Sequence, residues 1–313
     1  MMIIDSHVHL VDQGWIQEEF FLNMSRIVAT NMGKQSGEYP DAQILLEGLK
    51  ERVLDPTGDN LIEDMDNAGV DRSCIFAVDY GLAAGEPEVS IMEQNRAIAQ
   101  AVQRYPHRLL GFFAIDPRRP EATEMFSLGV EDWGMQGLKL HPSVGYYPYE
   151  EVVYPLYEKC REYNVPVLIH TGNQPGPMKS RFCRPLYVDD VAADFPDLPI
   201  IMAHCGHHWW EEALLVCSVK PNCYVDISGW QRDFLQNPTS FYRILRDILD
   251  ALGPWRVFFA TDGPYLNVLC PMEQWVNAIK EPDLSSCPEI SFSQEEIQIM
   301  MGKAFARLLN FDA

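Results

Sequence analysis

The stretch "IIDSHVHL", residues 3 to 10, opens the chain with an apolar run that leads into two histidines one residue apart. If this stretch is a β-strand, its side chains alternate between two faces, and His7 and His9 point the same way. Two imidazoles on one face of a strand can hold one metal ion. An isolated pair more often has a plainer role, with one histidine bonded locally and the other facing solvent. The rest of the sequence decides between these interpretations.

Short apolar runs recur along the whole sequence and alternate with amphipathic segments, which is typical of repeated βα units around a parallel sheet. Nearly all residues of these runs are apolar, as expected for strands that are covered on both faces. We predict eight strands from them, at residues 1–5, 73–79, 109–116, 137–141, 165–170, 198–204, 223–228 and 256–262.

Helical patterns separate the predicted strands, and the clearest cover residues 60–70, 93–106, 150–164, 240–253 and 293–310. The last of them begins with Ser293 and has Glu296 three residues later, which is the spacing of a capping box. This alternation predicts an α/β fold of the (β/α)8 TIM-barrel class rather than an open doubly wound sheet. No G-x-G-x-x-G motif follows any of the predicted strands.

The domain organisation follows from length and spacing. Barrels of this class with roughly 200 to more than 400 residues form one unit, so we predict a single domain over residues 1–313. The segment from about 11 to 58 is too long for a plain βα loop, and we predict that it forms a lid or an interface arm. Segment 264–292, which is rich in proline and cysteine, is a second insertion.

Composition excludes several classes of function. The net charge of −21, from 45 Asp and Glu against 24 Lys and Arg, repels phosphate backbones and anionic membranes, so we expect neither as a partner. The eight cysteines are spread singly without a C-x-x-C pair, which favours reduced thiols over a disulfide framework or a zinc ribbon. Without a signal-peptide pattern or a long apolar stretch, we expect a cytoplasmic protein.

Polar residues that suit metal binding stand at the predicted strand ends, where a TIM barrel builds its active site. Taken singly, His170 is also compatible with a core histidine, and Asp262 with a turn or a helix cap. Together they favour a site for Zn²⁺, Mn²⁺ or Fe²⁺, because an uncompensated buried cluster of this kind is costly. The side chains concerned are His7, His9, Lys139, His141, His170, His204 and Asp262.

Five motifs in order, "IIDSHVHL", "GLKLHP", "VLIHTG", "IMAHCG" and "FFATDGPY", make the sequence resemble the amidohydrolase superfamily of metal-dependent barrels. The resemblance runs from residue 2 to residue 310 and is best to the branch that contains aminocarboxymuconate semialdehyde decarboxylase and related predicted hydrolases. It implies that one divalent metal, Zn²⁺ as the first expectation and Mn²⁺ or Fe²⁺ as alternatives, is held by His7, His9, His170 and Asp262.

The resemblance also implies roles for two further residues. His204 would polarise or protonate the substrate rather than bind the metal. Lys139 is ambiguous, because in two-metal members a lysine at this strand is carbamylated and bridges the ions. In the favoured branch many members keep one metal, and the lysine then offers a charge to the substrate. We expect one metal.

Metal-assisted hydrolysis of a small cyclic or planar carboxylated substrate is the leading hypothesis, with Asp262 as proton acceptor and with His204 and Lys139 stabilising a developing oxyanion. Non-oxidative decarboxylation of an aromatic or muconate-type acid is the alternative, since the same ligands serve it in the resembling branch. A complete H-x-H mildly favours hydrolysis. A catalytically silent binding barrel is the least favoured reading.

Substrate contacts are predicted from the loops at the strand ends. Arg181 and Arg184, after the fifth predicted strand, are candidates to bind a substrate carboxylate. His141, Trp210 and Tyr265 are candidates to contact a flat substrate. Other aromatic residues in these loops either stack on the substrate or pack the lid, and the insertion would also suit a homodimer.

Overall fold

Parallel strand segments form the centre of the molecule, in a computed structural model that describes residues 1–311. Segments β1 to β3 pair in parallel in chain order, and so do β4 to β9, while β3 and β4 are two halves of one strand interrupted at Phe112. The segments are β1 Ile4–His9, β2 Arg72–Phe76, β3 Leu109–Gly111, β4 Phe113–Ala114, β5 Leu138–Leu140, β6 Val167–Ile169, β7 Ile200–Met202, β8 Cys223–Asp226 and β9 Val257–Phe258.

Backbone hydrogen bonds close this sheet into a barrel. At the interruption, the amide of Phe112 donates to the carbonyl of Ile75 at 3.0 Å, and β4 continues the ladder to β5. Between the first and last strands, Ser6 N donates to Phe259 O at 3.0 Å and Asp262 N donates to His7 O at 2.9 Å. The predicted eight-stranded TIM barrel is confirmed, and each predicted strand corresponds to an observed one.

Helices surround the barrel, and their starts follow local sequence signals. Ser293 accepts from the amide of Glu296 and the glutamate side chain accepts in return, so the predicted capping box is present. A single π-helical turn, Ile299–Lys303, joins α13 to α14. The helices are α1 Glu18–Met32, α2 Ala42–Val53, α3 Asp59–Ala68, α4 Gly81–Ala84, α5 Ile91–Arg104, α6 Ala122–Glu131, α7 Tyr154–Tyr163, α8 Val188–Asp194, α9 Trp210–Val219, α10 Gln231–Gln236, α11 Pro238–Leu252, α12 Met272–Lys280, α13 Gln294–Gln298 and α14 Ala304–Leu308.

The insertion between β1 and α3 is helical. Helices α1 and α2 pack against each other, and Asp41 caps α2 by accepting from the amide of Gln43. Phe20 and Phe21 of α1 are buried. The Phe20 ring packs against residues that follow barrel strands, with its centroid 5.2 Å from that of Tyr80 and 5.9 Å from that of Tyr265.

Aromatic rings fill the amino end of the barrel, and we call Phe112, Phe258 and Phe305 the floor. The ring of Phe305, from α14, lies with its centroid 5.3 Å from Phe258 and 6.4 Å from Phe112. The chain packs closely at this end, because a β-carbon on Gly302 would clash with the carbonyl oxygen of Met2.

None of the helices in residues 1–311 combines the length and the apolar character that crossing a bilayer requires.

Candidate metal centre and active site

His7, His9 and Asp262 meet at the carboxyl end of the barrel. His7 and His9 are the last alternate residues of β1, so both project to the same side, as the strand period predicts. Asp262 follows the last strand and is tied to β1 through its backbone. His7 Nε2 lies 3.3 Å from His9 Nε2 and 3.4 Å from Asp262 Oδ1, and His9 Nε2 lies 3.3 Å from the same oxygen.

These three donor atoms fit one divalent ion. Ligand atoms around a tetrahedral ion with bonds of about 2.0–2.1 Å lie about 3.3–3.4 Å apart, which is the spacing observed here. Two imidazoles and a carboxylate are also a donor set that Zn²⁺ or Mn²⁺ accepts. The geometry therefore supports the predicted ligand roles of His7, His9 and Asp262.

Asp226, at the end of β8, orients this centre. Its Oδ2 lies 3.0 Å from His7 Nδ1, so that nitrogen carries the proton and Nε2 presents its lone pair to the other donors. Its Oδ1 accepts from the amides of His204 and Ser228 at 2.9 and 3.0 Å. One buried carboxylate thus fixes both a candidate metal ligand and the neighbouring turn.

His204 sits in a left-handed backbone turn after β7. The φ angles of His204, Cys205 and His207 are 60°, 46° and 49°, a region that costs about 1–2 kcal/mol for each non-glycine residue. Tertiary hydrogen bonds hold the turn, since Trp230 Nε1 donates to the His204 carbonyl at 2.9 Å. Gly229 leaves room for the His204 ring, because a β-carbon there would lie 3.1 Å from its Nδ1.

His170, His141 and Lys139 join the same group of buried side chains. His170 Nδ1 lies 3.1 Å from His204 Nε2, and its ring stacks on His141 with centroids 4.1 Å apart. Lys139 Nζ lies 3.3 Å from His7 Nε2. The structure therefore brings together all seven strand-end residues that the sequence selected. The assignment of His170 as a fourth ligand remains a prediction.

Burial sets the charges of these groups. Burial, with the nearby Lys139 charge, holds the pKa of His7 well below its usual value, so the imidazole is neutral. Burial also lowers the pKa of Lys139 to about 8. Burial alone would raise the pKa of Asp262, but its contact with His9 and the neighbouring imidazoles outweigh this and keep that pKa below its ordinary range. Neutral imidazole and ionised carboxylate are the forms that bind metal.

The amidohydrolase family model matches the chain over residues 4–311, nearly its whole length. The chain belongs to the amidohydrolase family. It is therefore an enzyme of a metal-dependent superfamily of TIM barrels, as the five motifs predicted.

Individual relatives of this chain differ in their reactions. A 2-keto-4-carboxy-3-hexenedioate hydratase from Sphingobium sp. is 25% identical over 240 residues, which cover 67% of this chain and 68% of the hydratase. A manganese-bound 5-carboxyvanillate decarboxylase from Novosphingobium aromaticivorans has a TM-score of 0.69 at 17% identity, covering 99% of this chain and 97% of its own. A zinc-bound amidohydrolase from Burkholderia multivorans has a TM-score of 0.67 at 16% identity and covers 100% of both chains.

A cavity of about 210 Å³ opens beside the candidate metal centre. Phe20, Met24 and Val28 of α1 give it an apolar wall, and the metal centre contributes His9 and Asp262. The cavity is thus mostly apolar with a polar end at the candidate metal centre, which suits a small molecule with a flat or apolar body and a reactive polar group.

Three residues predicted to contact substrate lie elsewhere. Arg184 pairs with Glu212 on the surface, and the guanidinium of Arg181 lies 4.6 Å from the Phe182 ring centroid. Trp210 is the first residue of α9 and packs against the core. None of the three is among the described residues that line the cavity, and their assignment as substrate contacts remains a prediction. Loop residues near a strand in sequence need not turn toward its end.

Two other predicted substrate contacts, His141 and Tyr265, line the cavity. Arg232, which the sequence prediction did not include, is the single arginine or lysine among its described lining residues. Asp226 was also absent from the prediction. Its position at the end of the seventh predicted strand is the same signal that selected His170 and Asp262, and it could have been found in this way.

Proposed function

We propose that this amidohydrolase is a metal-dependent hydrolase that uses water to open a small cyclic or planar carboxylated substrate. The observation that carries the proposal is the convergence of His7, His9 and Asp262 within 3.4 Å, beside a cavity with an apolar wall. A divalent ion held there would lower the pKa of a bound water from 15.7 toward about 7 and polarise a carbonyl oxygen.

Asp262 is the proton acceptor in this proposal. Its side chain is about 20% exposed, whereas that of His7 is fully buried, and it lines the cavity directly. An ionised carboxylate in that position can take a proton from the attacking water and pass it to the leaving group. General acid–base catalysis of this kind contributes about 10²–10⁴-fold to a rate.

His204 and Lys139 are placed to stabilise negative charge. His204 also lines the cavity, and its Nδ1 lies 2.8 Å from the Ser228 hydroxyl, which fixes the ring orientation. Lys139 is buried behind His7 and carries a charge that would favour an oxyanion through the low-dielectric interior. A carbamylated Lys139 that bridges two ions is the alternative role of this residue.

Zn²⁺ is the ion we propose first, with Mn²⁺ or Fe²⁺ as alternatives that the same donor atoms accept. The solved relatives support both of the first two, since one is described with zinc and another with manganese. Elemental analysis of the purified protein identifies the ion.

A lyase is the second candidate, with hydration or decarboxylation of a carboxylated substrate in place of hydrolysis. The resemblance to the hydratase favours it, as does Arg232 in the cavity, because an arginine is suited to bind a carboxylate. The roles of the metal ligands stay the same in both candidates.

The test measures turnover of the metal-reconstituted enzyme on panels of lactones, amides and aromatic acids. Ring opening or amide cleavage supports hydrolysis, whereas CO₂ release or hydration without cleavage supports the lyase. Asp262→Asn should lower kcat by about 10³-fold or more, with an unchanged circular dichroism spectrum. Asp197→Asn removes a surface carboxylate that pairs with Arg161 and is the matched control. A near-normal rate for the Asp262 variant would exclude its role.

A further inference from the structure

The hydroxyl of Tyr265 is buried and has no hydrogen-bond partner among the described residues. Its ring centroid lies 5.3 Å from that of His9, and the side chain lines the cavity. Most buried polar atoms in native proteins are paired, and leaving one unpaired destabilises the fold. An orphaned hydroxyl beside a candidate metal ligand indicates that its partner is a bound molecule.

A second phenol hydroxyl, that of Tyr80, has only a long contact to an acceptor within the protein. The Gln174 amide donates to the Tyr80 oxygen at 2.9 Å and to His141 Nε2 at 3.2 Å. Tyr80 lies further from that nitrogen, at 3.4 Å, and a neutral imidazole nitrogen has a single lone pair. The Tyr80 proton is therefore available to another acceptor, and Tyr80 lines the cavity too.

Phe20 of the insertion connects the two tyrosines. Its ring centroid lies 5.2 Å from that of Tyr80 and 5.9 Å from that of Tyr265. The three rings form an apolar surface that carries two hydroxyl donors. A flat molecule can lie against the rings while an oxygen atom at its edge accepts from the hydroxyls.

We propose that Tyr265 and Tyr80 form a phenol subsite that donates hydrogen bonds to a carbonyl or carboxylate oxygen of a flat ligand lying against Phe20. Burial raises the pKa of both phenols above the ordinary value near 10, so both keep their proton at neutral pH and can donate it to an oxygen that accepts. The inference rests on the proposed function only in taking that ligand to be the substrate. Tyr265 is thus a specificity-determining residue.

The test uses 1-indanone, a flat ketone that hydrolysis cannot cleave, and indane, which lacks only the oxygen. Binding of each to the metal-loaded full chain is measured by ligand-observed NMR. The wild-type protein should bind 1-indanone more tightly than indane. Tyr265→Phe should weaken 1-indanone binding about 3–10-fold and leave indane unchanged, since one hydrogen bond is lost.

Thermal unfolding of the ligand-free protein supplies an independent readout. Tyr265→Phe removes a hydroxyl without a partner, so its melting temperature should stay equal or rise. Tyr157→Phe is the matched control, because the buried Tyr157 hydroxyl donates to the Pro148 carbonyl at 3.0 Å, away from the cavity. It should lower the melting temperature by roughly 1–4 °C and leave 1-indanone binding unchanged.

Three results would overturn the proposal. They are a fall in melting temperature for Tyr265→Phe like that of the control, equal binding of 1-indanone by variant and wild type, and no preference of the wild-type protein for the ketone. None of these measurements requires turnover. A failure of the phenol subsite is therefore distinguishable from a failure of the proposed hydrolysis.

Discussion

The two ends of the barrel are equally buried but opposite in chemistry. At the carboxyl end, Lys139 is 1% exposed and lies among histidines and carboxylates. At the amino end, Phe112 and Phe305 are 0% and 1% exposed and contact other rings. Buried polar groups destabilise a fold unless they are paired, whereas buried rings stabilise it. The amino end therefore provides the stability that the carboxyl end needs in order to keep its polar groups.

Phe76 is the residue at which the two ends meet. Its ring centroid lies 5.0 Å from that of His7 and 4.8 Å from Lys139 Nζ on the polar side, and 6.4 Å from that of Phe112 on the floor side. An apolar ring beneath the metal centre excludes water from below. Electrostatic interactions above it are then stronger than they would be in water.

Phe305→Ala is expected to have the largest effect on stability of the changes that distinguish the two ends of the barrel. The variant empties part of the floor and should lower the free energy of unfolding by about 3–5 kcal/mol, measured by urea denaturation. Metal content and kcat of the folded protein should change little, because Phe305 does not line the cavity among the described residues. Phe305→Leu leaves a smaller cavity and should lower the free energy of unfolding by less. A Phe305 variant that loses its metal but keeps its stability would contradict the assignment of stability to the amino end and of metal binding to the carboxyl end.

The barrel could be predicted from sequence because parallel strands covered on both faces consist of continuous apolar runs. The convergence of the candidate site residues could be predicted for a related reason, since strand ends of a barrel converge and His7, His170 and Asp262 all stand at such ends. The paths of the loops could not be predicted from the sequence. Whether Arg184 or Arg232 reaches the cavity depends on how α1 and the loops pack over the rim, and local sequence does not encode that packing.

Asp226→Asn tests the role of the polar carboxyl end in metal binding. The amide cannot replace both carboxylate oxygens, because one faces His7 Nδ1 and the other accepts from the His204 amide. We expect metal affinity to fall by about 10–100-fold, or about 1.4–2.7 kcal/mol, in a competition titration with a chelator.

Asp116→Asn is the control for that change. Asp116 is also a buried carboxylate after a barrel strand, but it pairs with Arg118. Its loss should reduce stability and leave metal affinity unchanged. Equal metal affinity of the Asp226 variant and the wild-type protein would show that Asp226 does not orient His7.

The smallest effect concerns a charge on α13, the helix that leads into the segment closing the amino end. A hydrogen bond from Arg246 lowers the pKa of Glu296 from 4.5 to about 2. A carboxyl whose pKa is lowered by folding stabilises the protein at pH values above the pKa that the group has in the unfolded chain. This contribution is lost as the pH falls from 4.5 toward 2.

Glu296→Gln tests this contribution, because it keeps an acceptor for the capping box but removes the charge. It should lower the free energy of unfolding at pH 7 by no more than about 1 kcal/mol, because the pair is partly exposed. The difference from wild type, measured in urea at each pH, should shrink as the pH falls below 4.5. Glu295→Gln, in the same helical turn and without this ion pair, is the control, and a difference that stays constant with pH would contradict the assignment.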